Sequence, residues 1–287
     1  MNNSEPLPKL APRDPEGHKG DYGRALLIGG SRGMAGAIGL AGIACLRSGA
    51  GLVRVAVPES VLDAVSTFEP SLMTSPLSEA GGCIAGAAKS QLQPMLDIAT
   101  AFACGPGLSR SSGLDTLVAW LYTTLPQPAV FDADALNALA TQPEVLRKPG
   151  GPRVLTPHPG EFARLIGAKD ATSTDRAEQE RRAAQLAAEC GVVIVLKGHR
   201  TLVTDGARQS HNTTGNPGMA TGGAGDVLTG VTTGLLCQGL SAFDAARLAT
   251  HVHGLAGDLG AVELGQISLI ASDLLRFLPP AFQQVND

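Results

Sequence analysis

Aromatic side chains are scarce in this sequence: they make up 3% of its 287 residues, although hydrophobic residues of all kinds make up 44%. The interior must therefore be built mainly from Ala, Val, Leu and Ile. With 17% charged residues, the chain has enough apolar material to bury a sizeable core. Its 36 glycines and 19 prolines are spread along the chain, which favours a single domain with many turns between strands and helices.

An excess of basic residues is also missing. The formal net charge is -4 and the pI about 5.9, so there is no positive field to bind nucleic acid. No apolar run is long enough to span a bilayer, and the first ten residues lack the pattern of a signal peptide. The five cysteines form no Cys-x-x-Cys pair and are expected to be buried or incidental thiols in a reducing compartment. Together these absences predict a soluble, cytoplasmic protein with no nucleic-acid or membrane partner.

Two common nucleotide-binding motifs are absent as well. The string Gly-x-x-x-x-Gly-Lys-Ser/Thr does not occur, which excludes a P-loop NTPase at the level of the motif. Segment 30–36 lacks the Gly-x-Gly-x-x-Gly spacing, and no acidic residue ends the strand that follows it. A Rossmann dehydrogenase is therefore disfavoured.

Short apolar runs bounded by glycine are typical of buried parallel strands. Strands are predicted at 25–28, 52–57, 98–103, 129–131, 154–155 and 192–196, with an antiparallel return at 202–206. Helices are predicted at 34–50, 172–190, 227–239, 242–260 and 268–278. This alternation predicts an α/β fold with a doubly wound, mainly parallel sheet and helices on both faces. Residues 1–17 are expected to form an N-terminal arm, and residues 18–287 a single domain.

The most informative stretch is 216–230, a glycine-rich loop that runs into an apolar helical pattern. Without a Cβ, Gly222, Gly223 and Gly225 let backbone N–H groups approach an anion closely, at the positive end of the helix. Asp226 then lies in the first helical turn. It could act as a helix cap, but its position beside an anion site favours a general base for phosphoryl transfer.

Other polar residues follow the predicted strands. Asp132 and Asp134 could hold Mg²⁺ or a ribose, although Asp134 could also cap the next helix. His158 and Glu161 follow the next strand together, which indicates a site more than a lone histidine would. Lys197 ends a buried strand and could contact a nucleotide, or simply extend its ammonium group to solvent.

Two further histidines, His251 and His253, lie two positions apart on one predicted helix. Residues with this spacing point to different faces of a helix, so they make a poor metal site. They are interpreted as packing or surface residues.

Seven stretches together resemble the NAD(P)H-hydrate dehydratase family of the ribokinase-like superfamily. They are 18–23, 36–37 with 50–53, 105–107, 132–136, 156–161, 197–198 and 216–230. The resemblance covers nearly all of residues 18–278 in order. It implies dehydration of (6S)-NADHX or (6S)-NADPHX to NADH or NADPH, coupled to hydrolysis of a nucleoside phosphate. Stand-alone members of bacterial type use ADP, giving AMP and phosphate, whereas eukaryotic members use ATP.

The resemblance also implies roles for particular residues. Those expected to contact the hydrated cofactor are Ala37, Gly107, His158 and Asp226. Those expected to contact the nucleotide are Lys197, Gly198, His199, Arg200, Thr201 and Gly225. The anion hole is expected at Gly222, Gly223, Ala224 and Gly225. Glu161 matches an acidic residue that organises Mg²⁺ through water, but the usual Asn-x-x-Glu is His-x-x-Glu here. A homotetramer is also implied, and only a short arm precedes residue 18, so no epimerase activity is ascribed.

Two alternatives use the same residues differently. A kinase for a small hydroxyl compound, such as a hydroxymethylpyrimidine or hydroxyethylthiazole, would need the same Asp226 and anion hole. The His158 loop and the motif around Lys19 favour the dehydratase. A nucleotide-sensing protein on a degenerate kinase fold is disfavoured because its Asp226 and glycines would be free to change.

Overall fold

The computed structural model describes residues 6–168 and 175–286, and within them nine strands form one sheet. In chain order these strands are β1 Arg24–Ile28, β2 Leu52–Pro58, β3 Met73–Leu77, β6 Ala101–Cys104, β7 Ala129–Phe131, β8 Arg153–Leu155, β9 Val193–Leu196, β10 Leu202–Thr204 and β11 Gln209–His211. A separate two-stranded hairpin consists of β4 Glu79–Ala80 and β5 Cys83–Ile84.

The sheet order is β11-β10-β9-β8-β7-β6-β1-β2-β3. The strands from β3 to β9 pair in parallel, and β10 and β11 add an antiparallel edge. The predicted mainly parallel sheet and its antiparallel return are thereby confirmed. The strand order reverses between β1 and β6, and in such sheets ligands bind beyond the carboxyl ends of the strands at this switch point.

Ten helices accompany the strands within residues 6–168 and 175–286. They are α1 Ala35–Arg47, α2 Leu62–Ser66, α3 Lys89–Asp97, α4 Ser112–Thr124, α5 Ala133–Ala140, α6 Pro159–Leu165, α7 Arg176–Cys190, α8 Ala224–Cys237, α9 Ala242–Leu264 and α10 Ala271–Asn286. The first residues of the helix predicted at 172–190 lie outside the described residues.

Alternate residues of each central strand enter two separate hydrophobic cores. In β1, Leu27 packs with α1, α2, α8, α9 and α10, whereas Leu26 and Ile28 pack with α3 to α7. Both faces of the sheet are therefore covered by helices, which is why its strands are apolar on both sides.

Two predicted elements have different bounds in the structure, and one parallel strand of the main sheet was not predicted. The third strand of the chain is β3, a half-exposed edge strand interrupted by Pro76, and it lacks the apolar run of a buried strand. The strand expected at 98–103 is shifted to Ala101–Cys104. The last helix continues through Pro279 and Pro280 because residues on both sides of them, including Leu278 and Ala281, are buried in the core.

The described part of the predicted N-terminal arm, residues 6–17, packs against the domain without forming a helix or strand. Leu10 contacts the hydrophobic core, and Arg13 donates a hydrogen bond to the Gly49 carbonyl at 2.6 Å. None of the helices in residues 6–168 and 175–286 is long and apolar enough to cross a membrane.

Candidate active site

The loops that follow β1, β6 and β7 meet at the switch point through very close backbone contacts. The Gly30 N–H donates to the Pro106 carbonyl at 2.8 Å. Gly105 has a φ of +134°, and a Cβ on it would lie 1.8 Å from the Asp132 carbonyl oxygen. Only glycine fits there, so these loops form one continuous floor at the carboxyl edge of the sheet.

Two residues predicted to contact the substrate lie side by side beside this floor. Gly107 has a φ of +61°, and a Cβ on it would lie 3.1 Å from the Cβ of Ala37. Ala37 is in the first turn of α1, whose N-terminus therefore faces the same crevice. The structure brings this predicted pair together although the two residues are far apart in the sequence.

The glycine-rich loop, residues 214–223, leads directly into α8 as predicted. The N-cap position is Gly223, with a φ of +94°, so Asp226 is in the first turn but is not the cap residue. A Cβ on Gly222 would meet nothing within 4 Å, which leaves that side of the loop open. By helix geometry the N–H groups of Gly225 and Asp226 have no helical acceptor, so this open end can bind an anion.

An ion pair between the partly buried Lys197 and the buried Asp132 lies beneath the start of α8. The Lys197 Nζ is 2.9 Å from the Asp132 Oδ1 and 3.8 Å from the Glu161 Oε2. The hydroxyl of Thr229 donates to the other oxygen of Asp132 at 2.8 Å. Gly225 leaves room for the lysine, since a Cβ there would lie 3.3 Å from the Lys197 Nζ.

The charges of this cluster set two pKa values. Burial by itself lowers the pKa of Lys197, but Asp132, Glu161 and Asp226 outweigh it, so the pKa is raised and the ammonium stays charged. The pKa of Asp226 is raised to about 7, first by burial and then by the charge of Asp132. A carboxylate with a pKa near neutrality is well matched to accept a proton from a hydroxyl group.

His158 and Glu161 form a capping box at the start of α6. The Nδ1 of His158 accepts the N–H groups of Gly160 at 3.0 Å and Glu161 at 3.3 Å, while the Glu161 carboxylate accepts the His158 N–H at 2.8 Å. Because Nδ1 accepts, the neutral ring carries its proton on Nε2. Burial lowers the pKa of His158, so this half-exposed ring is neutral, and its Nε2 lies 3.3 Å from the Glu161 Oε1.

The predicted nucleotide-binding segment, residues 197–201, is the turn between β9 and β10. Arg176 of α7 donates to the Lys197 carbonyl at 3.2 Å, and the Thr201 hydroxyl donates to the Gly198 carbonyl at 3.0 Å. The side chains exposed in this turn are those of His199 and Arg200. Lys197 therefore belongs to the buried cluster, whereas the rest of the turn faces solvent.

Both carboxylate oxygens of Asp132 are bonded to protein groups, one to Lys197 and the other to Thr229. Asp134 accepts the Ser109 N–H at 2.8 Å and so helps to hold the loop after β6. Within residues 6–168 and 175–286, no group of three or more His, Cys, Asp or Glu side chains could hold a metal ion by itself.

Sequence reasoning missed two residues near the site. Thr229 lies one helical turn after Asp226, and this three-residue spacing was the available signal. His253, interpreted as packing or surface, directs its Nε2 to the Ala224 carbonyl at 2.9 Å. No local sequence pattern reports that contact, because the two residues are on different helices.

The model of the NAD(P)H-hydrate dehydratase family matches residues 25–280. The bifunctional NAD(P)H-hydrate repair enzyme Nnr of Moorella thermoacetica is 46% identical over 284 residues, covering 97% of this chain and 53% of that protein. The enzyme of the same name from Escherichia coli is 39% identical over 277 residues, covering 94% and 49%. The chain thus spans about half the length of the curated relatives that it matches.

A solved structure agrees over nearly its whole length. The ADP/ATP-dependent NAD(P)H-hydrate dehydratase from Bacillus subtilis, co-crystallised with ATP and Mg²⁺, is 32% identical and has a TM-score of 0.81, covering 96% of this chain and 95% of that one. This chain therefore belongs to the NAD(P)H-hydrate dehydratase family and has its ribokinase-like fold.

Proposed function

We propose that this protein dehydrates (6S)-NADHX or (6S)-NADPHX to NADH or NADPH while it hydrolyses ADP to AMP and phosphate. One observation carries the proposal: Asp226, with a pKa raised to about 7 by burial, lies at the open glycine-rich end of α8 beside the Lys197–Asp132 pair. This arrangement suits the activation of a hydroxyl group next to a bound phosphate.

The reaction needs such a site because hydroxide is a poor leaving group. In the first step the Asp226 carboxylate accepts the proton of the substrate 6-hydroxyl. The hydroxyl oxygen forms a bond to the terminal phosphorus of ADP as the bond from that phosphorus to AMP breaks. The N–H groups at Gly222, Gly223, Ala224 and Gly225 hold the developing charge on the phosphoryl oxygens.

In the second step the carbon–oxygen bond breaks and phosphate leaves with the bonding electrons. The ring nitrogen supplies its lone pair to the carbon, and loss of the neighbouring proton restores the dihydronicotinamide. The hydroxyl oxygen ends in phosphate, so the products are NADH or NADPH, AMP and phosphate. In this proposal Ala37 and Gly107 line the substrate crevice, and His158 donates a hydrogen bond from Nε2.

The charges at the site fit a requirement for Mg²⁺. In addition to burial, the negative charges of Asp132, Asp134 and Glu161 all raise the pKa of Asp226, and the ammonium group of Lys197 opposes them. An incoming nucleotide would add more negative charge, so it needs a cation to accompany it. Carboxylate oxygens are suitable ligands, and Glu161 is the candidate for holding the ion through water. Bound Mg²⁺ would neutralise phosphate charge.

The turn at residues 197–201, together with Gly225, is the proposed nucleotide contact. Its support is positional: Lys197 reaches the space beside Gly225, while His199 and Arg200 are exposed in the same turn.

A cytoplasmic homotetramer remains part of the proposal, and sedimentation of the purified protein would measure the number of subunits.

The direct test is to mix the protein with hydrated NADH or NADPH, Mg²⁺ and either ADP or ATP. Return of the dihydronicotinamide absorbance, with one phosphate released per cofactor restored, is the expected result, and the active nucleotide identifies the phosphate donor. If neither nucleotide restores the absorbance, the proposal fails. Phosphorylation of hydroxymethylpyrimidine or hydroxyethylthiazole would then support the kinase.

A further inference from the structure

Helix α9 carries an aspartate that holds the start of the glycine-rich loop. The Oδ2 of Asp258 accepts the Gly215 N–H at 2.8 Å, and its Oδ1 accepts a hydrogen bond from the Asn216 Nδ2 at 3.0 Å. The Asn216 Oδ1 in turn accepts the Gly218 N–H at 3.0 Å. A continuous chain of hydrogen bonds therefore runs from α9 into the loop.

The same face of α9 lies against the loop with almost no space between them. A Cβ on Gly254 would lie 2.3 Å from the Thr214 hydroxyl, and one on Gly257 would lie 2.2 Å from the Met219 sulfur. Gly254, Gly257 and Asp258 are three and four positions apart, so they share one face of the helix. This face is shaped to receive the loop.

The far end of the loop is held by α9 as well. His253 donates from Nε2 to the Ala224 carbonyl at 2.9 Å, because a carbonyl can only accept. Ala224 is the first residue of α8, two positions before Asp226. One helix therefore contacts the loop at its beginning, at its middle and at its junction with α8.

We propose that Asp258 is a positioning residue for the anion hole: it fixes Gly215 and Asn216, and through them the path of the loop to Gly222 and Gly225. The inference rests on the proposed function for its kinetic test. Displacement of oriented donors by about 1 Å can lower turnover by about a hundredfold. Nucleotide affinity is expected to change less, because the turn at 197–201 makes separate contacts.

The hydrogen-bond chain allows a test by exchange of partners. In Asp258→Asn the new NH₂ group faces either the NH₂ group of Asn216 or the N–H of Gly215, and two donors cannot bond to each other. Turning the Asn216 amide instead breaks its bond from Gly218, so one hydrogen bond is lost in every arrangement. In Asn216→Asp, the new carboxylate faces the carboxylate of Asp258. The double variant restores every donor and acceptor, since the new amide at 258 donates to the new carboxylate at 216. Glu263→Gln, an exposed change further along α9, is the control.

We expect Asp258→Asn and Asn216→Asp each to lower kcat at least roughly tenfold with less than about a threefold change in the KM for ADP, and the double variant to recover most of the loss. Glu263→Gln should match the wild type. Single variants within twofold of the wild-type kcat, or a double variant no better than the singles, would overturn the inference. If a single variant does not fold, recovery of both folding and turnover in the double variant supports it, and failure of that recovery overturns it.

Hydrogen exchange separates this inference from the proposed function. If the wild type does not restore hydrated cofactor, the proposed function fails, but the contacts of Asp258 can still be measured. Asp258→Ala, which removes both acceptor oxygens, should then speed exchange of the Gly215 amide at least roughly tenfold, with little change in the amides of β1. Equal exchange in variant and wild type would overturn the positioning role.

Discussion

Replacing Asp226 with Asn tests the candidate site through stability as well as activity. The pKa of Asp226 is raised from 3.8 to about 7 by burial and by Asp132. Above that pH the folded protein holds a charge that its surroundings disfavour, and Asn removes this charge. A pKa increase of this size corresponds to about 4 kcal/mol. Because Asp226 is only partly buried, we expect a gain of roughly 2 kcal/mol in the free energy of unfolding.

The sign of the effect depends on pH. Below the unfolded pKa of 3.8, Asp226 is protonated in both the folded and unfolded states, so Asn makes little difference. Between that pKa and about 7, the folded state binds more protons than the unfolded state, and this group lowers wild-type stability as pH rises. The advantage of Asp226→Asn should therefore grow over this interval and be complete above it.

Urea denaturation at about pH 5 and about pH 8, together with turnover of hydrated cofactor, measures both effects. Turnover should fall by about 10² to 10⁴ if the proposed general base is lost. Asp63→Asn is the matched control, since Asp63 is also in the first turn of a helix, α2, but is exposed. It should lose a few tenths of a kcal/mol at about pH 8. Near-normal turnover of Asp226→Asn, or a loss of stability like that of the control, would refute this role of Asp226.

Three further predictions concern packing and charge. Asp132→Asn should cost roughly 3 kcal/mol because it leaves the Lys197 ammonium without its nearest counter-ion, and adding Lys197→Met should recover part of that loss in urea denaturation. Gly230→Ala places a Cβ 2.1 Å from the Ala41 carbonyl oxygen, so α1 and α8 must separate and the protein should lose about 2 kcal/mol. His253 has its pKa lowered to about 4 by burial. The free energy of unfolding of the wild type should therefore fall as pH drops from 6.5 towards 4. The fall should be smaller in His253→Gln, and thermal unfolding at several pH values would measure it.

Each of these three predictions has a result that would contradict it. A Cβ on Gly36 of α1 meets nothing within 4 Å, so Gly36→Ala should keep or increase the melting temperature. Equal losses at Gly36 and Gly230 would show that close packing is not the cause. If Lys197→Met recovers no stability in the Asp132→Asn background, the unpaired ammonium group is not the cause of the loss. If the stability of His253→Gln depends on pH as that of the wild type does, the buried imidazole is not the cause of the loss at low pH.

Much of the fold could be predicted because the sheet is buried on both faces. Residues such as Leu26 and Leu27 point to opposite cores, so nearly every position of a central strand is apolar and the strand is visible as a run. Edge strands lack that signal, which is why β3 and β11 were missed. The start of α8 was predicted because its glycine-rich loop is local in sequence.

The residues of the candidate site were predicted from local motifs, and their grouping follows from a rule about parallel sheets. Asp132, His158 and Lys197 each follow a strand, and the carboxyl ends of parallel strands lie along one edge. What each side chain contacts there was not predictable. Asp132 was a candidate metal or ribose ligand, yet it is bonded to Lys197 and Thr229.

The sequence by itself determined the short-range features of this protein: the apolar runs of the central strands, the glycine turns and the acid in the first turn of α8. Only the tertiary structure decided the partners of the buried groups. Asp132 meets Lys197 across 65 residues and Thr229 across 97, and Asp258 meets Asn216 across 42. Burial then raises the pKa of Asp226, and burial is a property of packed elements that no single segment contains.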